Sequence, residues 1–90
     1  MLIAVNHDIS DPGSFWAAAQ ASLPKLPEGI FIHQVLPNDT MDKAVCIWQA
    51  DSVAHLTEYL EGKTAQYCKN TYQAINETNA MGLPKIAAAV

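Results

Sequence analysis

Apolar and polar residues alternate weakly over residues 2–7, LIAVNH, and a period of two predicts a first strand. Asp11 and Pro12 then supply a helix cap and a first-turn proline. Phe15, Trp16, Ala19, Gln20 and Leu23 follow at helical spacing, which predicts a first helix. Pro24, Pro27 and Gly29 stop it. Ile30 to Leu36 read as a second strand, and the turn-forming run Pro37-Asn38-Asp39-Thr40 returns the chain antiparallel into a third, Lys43 to Ala50.

The third strand has no alternation. Val45, Cys46, Ile47 and Trp48 form an unbroken apolar run, the pattern of a strand covered on both faces. Asp51 or Ser52 can cap the helix that follows, Val53, Leu56, Thr57 and Leu60 give it an apolar stripe, and Gly62 is placed to end it. Thr64 to Lys69 suggest a further helical turn holding Cys68, and Thr71 to Asn76 a last strand.

The predicted order is β-α-β-β-α-β over a single domain spanning residues 1–90. This is an α+β, ferredoxin-like sandwich, a four-stranded antiparallel sheet with both helices on one face because parallel crossovers are right-handed. The other face is left bare. The tail Ile86 to Val90 is expected either to fray or to dock on a partner.

Composition changes this picture in one respect. Half of the residues are apolar, more than a chain of 90 residues can bury alone, and a symmetric second copy covers the excess by using one patch twice. A homodimer is therefore expected. Five lysines, no arginine and nine carboxylates give a net charge of −4, which disfavours nucleic acid as a partner. The opening LIAV run breaks at Asn6 and His7, too short for a signal core or a membrane span, so a cytoplasmic protein without a membrane partner is expected. Cys46 and Cys68 have no metal or scaffold spacing and read as free thiols.

Several stretches carry a resemblance: DPGSFW at 11–16, HQVLP at 33–37, CIWQADS at 46–52, and NTY followed by NAMGLP near the end. Together they resemble a family of uncharacterised bacterial proteins in the dimeric α/β-barrel superfamily. The resemblance implies a dimer built through the bare sheet faces, with any pocket lying between sheet and helices or between the two sheets. It supplies no reaction, because one fold serves many chemistries.

Strand parity decides which candidate residues meet. If the hairpin pairs Leu36 with Lys43, His33 lies across from Cys46 and Phe31 across from Trp48. Ile3, Val5, Ile30, Ile32, Val45 and Ile47 then face the helices. On that register the bare face gathers Asn6, His33, Cys46, Trp48 and Tyr72 among apolar neighbours, which are the candidate ligand-binding residues. Such a face describes either a packed dimer interface or a cavity for a hydrophobic small molecule.

The chemistry these residues suggest is limited. His33 and Cys46 could give two ligands of a soft metal site, but no third falls nearby, and the buried thiol reads as a small hydrophobe; no metal and no cofactor is expected. The same pair lacks the orienting group that thiol catalysis needs. His55 could reach up as an axial haem ligand, as in haem-binding relatives, although a solvated helix histidine explains it as well. His7 is expected to hydrogen-bond in the loop after the first strand. Asn6 and Trp48 on one face resemble the asparagine and tryptophan with which cofactor-free oxygenases of the superfamily hold an aromatic substrate. A cofactor-independent monooxygenase or isomerase is thus the alternative to a binding module. Phosphate loops, hydrolase elbows and zinc spacings do not occur.

Overall fold

The computed structural model describes residues 1–87. Its elements are β1 (Leu2–Ile9), α1 (Pro12–Ser22), β2 (Phe31–Pro37), β3 (Lys43–Gln49), α2 (Val53–Thr64) and β4 (Cys68–Ala74), with one 3-10 turn at Leu23–Lys25. The strands form one sheet in the order β2-β3-β1-β4 with every neighbouring pair antiparallel. Order and direction are consistent with a ferredoxin-like fold. Among the described residues no helix is long and apolar enough to cross a membrane.

Both helices begin where a side chain can satisfy a free amide. Asp11 accepts from Ser14 N at 3.1 Å and Pro12 opens α1, while Ser52, not Asp51, caps α2 by accepting from His55 N at 3.0 Å. Gly62 does not end α2, which runs on to Thr64. The helical turn expected at Thr64 to Lys69 is absent; Cys68 instead opens β4, which starts three residues earlier than the pattern implied. The cause is pairing, since β4 lies along β1 from Cys68↔Ile9 to Ala74↔Ile3 and the ladder overrides local preference.

The hairpin loop between β2 and β3 is held from α1. Met41 adopts a positive φ of 65°, unfavourable for a side chain of its kind, and its carbonyl accepts from Trp16 Nε1 at 2.9 Å. Asn38 closes the loop by accepting from Lys43 N at 3.0 Å.

One side of the sheet packs under the helices. Ile3 and Val5 of β1, Cys46 and Trp48 of β3 and Leu56 and Leu60 of α2 form one buried cluster, and Ile9, Phe15, Ala44 and Cys68 form a second towards the N-terminal end of α1. Here the register assumed from sequence fails at two points. β2 pairs Leu36 with Val45, not with Lys43, and it carries a bulge between Ile32 and Gln34, so Ile32 pairs with Trp48 and Phe31 with Gln49. Phe31 and His33 keep the outer face expected of them, but they no longer lie across from Trp48 and Cys46. In addition, β1 pairs Ile3 with Trp48, Val5 with Cys46 and Asn6 with Val45. Cys46 and Trp48 therefore face the helices, and Val45 and Ile47 face outwards.

The outer face is partly covered by the chain itself. Ile75 N donates to Leu2 O at 3.0 Å, Leu2 N donates to Glu77 Oε2 at 3.2 Å, and Ala87 N donates to Gln49 Oε1 at 2.9 Å. Leu2 is fully buried beneath this return. Of the tail expected to fray or dock, Ile86 is exposed and Ala87 rests on this sheet, while residues 88–90 lie outside the described residues.

Candidate functional site

The five sequence candidates do not meet. Asn6 is exposed on the outer face, and His33 sits at the β2 bulge on that same side with Nε2 2.9 Å from Gln49 Oε1. Cys46, Trp48 and Tyr72 lie on the helix side, where Tyr72 pairs with Val5 in register with Cys46. The Asn6–Trp48 combination is thereby divided between two faces, and so is the His33–Cys46 pair. Among the described residues no three His, Cys, Asp or Glu side chains gather into a cluster that could hold a metal ion. His55 is exposed on α2.

What the fold does build is a narrow slot between the sheet and the two helices. His7, Cys46 and Trp48 form its floor; Phe15 and Ala19 of α1 and Leu60 and Lys63 of α2 are among its walls. About 40 Å³ of it is open to the centres of water-sized molecules, and its lining is almost wholly apolar. Small side chains on α1, Ala18 and Ala19, leave this gap where larger ones would close it. At its mouth it shares Ser22, Tyr59 and Lys63 with a shallower surface recess of about 280 Å³ that also touches Lys25.

Two polar groups belong to the slot. Trp48 is only 4% exposed and its Nε1 has no hydrogen-bond partner, the one such buried side-chain nitrogen or oxygen among the described residues. An indole N–H donates only, and leaving it unmade costs about 1–3 kcal/mol. The other group is His7, which sequence reasoning assigned to the loop after β1. Instead it is buried in β1, its ring tilted 55° against Phe15 at 5.2 Å, and its Nδ1 is hydrogen-bonded to Asn70 Oδ1 on β4. Burial pushes the His7 pKa below its usual 6.5, with the Asn70 bond and the Glu61 charge pulling the other way.

Behind His7 runs a chain of polar side chains that reaches the surface. Asn70 Nδ2 donates to Glu61 Oε2 at 2.8 Å and to Thr64 Oγ1 at 3.0 Å, and Tyr72 OH donates to the same Glu61 oxygen at 2.7 Å. These bonds hold the Glu61 carboxyl below the usual carboxylate range. Burial first, and then the bond to Glu61, push the Tyr72 phenol upwards. Desolvation raises the Cys46 thiol to about 11, so it is a neutral wall of the slot and not a ready nucleophile.

The signal that could have found His7 was its parity. It shares the i, i+2 row of Ile3, Val5 and Ile9, all buried, and a polar residue in such a row has to be satisfied from a neighbouring strand. Asn70 could not be placed from sequence because β4 was expected to begin after it.

No family model, curated protein or solved structure matches this chain.

Proposed function

We propose that the protein is a homodimer of the dimeric α/β-barrel kind that binds a small, largely hydrophobic molecule in the slot between its helices and its sheet. The observation that carries the binding is the unpartnered indole nitrogen of Trp48 at an apolar gap. A bound water would find few other polar partners there and is a poor solution, since buried waters make about three hydrogen bonds. A ligand with an oxygen acceptor on an apolar body satisfies the N–H and fills the gap together.

The second copy is supported by the outer face. Leu36 and Val45 are 52% and 38% exposed there, and they lie beside half-buried Ala4 and Ile47 on adjacent strands. A two-fold axis through this patch buries both copies with one set of residues. The free thiols of Cys46 and Cys68 suit the reducing cytoplasm.

The test is a titration of the protein with small alcohols and ketones, followed through the Trp48 indole N–H resonance and the melting temperature. The resonance moves and the melting temperature rises in the wild type, and both responses vanish in Trp48→Phe, which removes the N–H and keeps an aromatic wall. An indole resonance unmoved at millimolar ligand rejects the slot as a binding site. Sedimentation at micromolar concentration giving a monomer mass rejects the dimer.

A further inference from the structure

The polar chain behind His7 determines which ring nitrogen bears the proton. Glu61, as a carboxylate, only accepts. The Thr64 hydroxyl donates its proton to Leu60 O at 2.8 Å, so towards Asn70 it too can only accept. Both therefore require the amide NH2 of Asn70, which leaves Oδ1 turned to His7 and to the Cys68 thiol, 3.0 Å away. An amide oxygen has no proton to give, and so His7 Nδ1 must carry one. In the neutral ring the lone pair is then on Nε2, which has no hydrogen-bond partner among the described residues, and His7 lines the slot.

Two side chains that line the slot thus carry unpaired polar atoms, an acceptor on His7 and a donor, Nε1, on Trp48. His7 pairs with Ala44, and Trp48 lies four residues further along β3, which separates the two residues by roughly 13 Å of strand.

We infer that His7 Nε2 receives a ligand hydroxyl, and that the slot takes an extended aliphatic molecule with an O–H towards His7 and an oxygen acceptor towards Trp48. This rests on the slot being a binding site, as proposed above, and adds the ligand class. Bare hydrocarbons leave both polar groups unmade, and aliphatic ethers satisfy Trp48 but leave His7 without a donor. Carboxylates present no proton to His7 and would bring a charge into an apolar gap.

Hexanediol and its dimethyl ether test the inference, because the ether keeps both oxygen acceptors and lacks both donors. In the wild type, nitrogen-15 NMR of the histidines shows His7 neutral with the proton on Nδ1, and hexanediol shifts the Nε2 signal. Hexanediol binds about tenfold or more tightly than the ether, the value of one buried hydrogen bond. In His7→Phe this preference disappears while the Trp48 indole still responds. Equal affinity for the two compounds, or a proton found on Nε2, overturns the inference and leaves the slot a binding site. If neither compound moves the Trp48 indole, the binding reading falls and the inference with it. The wild-type measurements decide these outcomes whether or not the variant folds.

Discussion

The two faces of the sheet are made by the same strands and read differently in almost every respect. On the helix side Ile3 and Val5 are fully buried and Trp48 and Cys46 nearly so. On the outer side Ala4 and Ile47 are half-buried, Asn6 and Val45 are exposed, and part of the cover comes from the returning segment after β4. The helix side holds the unusual chemistry, an unpaired indole N–H and a buried histidine hydrogen-bonded to Asn70, while the outer side carries ordinary surface groups such as the Lys43–Asp8 ion pair at 3.4 Å. An apolar strand run therefore does not say where function lies. In the unbroken apolar run of β3, Ala44 to Trp48, neighbours one residue apart serve different purposes: Trp48 borders a slot, and Ile47 is a surface for another chain under the proposed assembly.

The hardest test of this contrast is Trp48→Ala. Removing a buried indole costs about 3–5 kcal/mol, read as a shift in the denaturant midpoint, and the fraction that remains folded keeps its assembly state. Loss of dimer mass at unchanged stability would place Trp48 at an interface and reverse the assignment of faces.

Val45→Asp probes the other side. Facing copies across the two-fold axis would set like charges against each other at a cost of several kcal/mol to association. The monomer itself should melt within about 0.5 kcal/mol of the wild type, as expected for an exposed site. A large loss of stability without change of mass would mean that Val45 belongs to the core.

Acid should reveal the burial of His7 on the helix side. Its folded pKa lies below its ordinary 6.5, so the unfolded chain binds more protons below that pH, and stability falls as the pH drops from 6.5 towards the folded value. The slope cannot exceed about 1.4 kcal/mol per pH unit for one group. His7→Phe should flatten this slope. An unchanged slope in that variant would assign the effect elsewhere.

The smallest expected signal is kinetic. Cys46, raised to about 11 and buried, should resist alkylation at pH 8 in the native protein and react once it unfolds. Fast native labelling at Cys46 would show that the slot opens readily to solvent.

The elements were legible because local rules govern them. Asp11-Pro12 and Ser52 begin helices by supplying acceptors to free amides, Pro37-Asn38 begins a turn, and the alternation of Ile3 and Val5 with Ala4 and Asn6 identifies the buried row of β1. Element order and sheet class follow from these short-range preferences.

What the sequence could not decide was parity and partnership across strands. β3 offers no polar alternation to mark its inner face, and a single bulge at His33 separates the face of Phe31 and His33 from that of Cys46 and Trp48. Only the ladder between β1 and β3, set by helices that cover Ile3 and Val5, turns Cys46 and Trp48 inwards. The His7–Asn70–Glu61 chain joins residues up to 63 positions apart, and its protons are fixed by bonds that exist only when β1, β4 and α2 are packed together. Hydrophobic spacing determines which segments become strands and helices; the register between strands determines which side chains share a face, and that is where the slot came from.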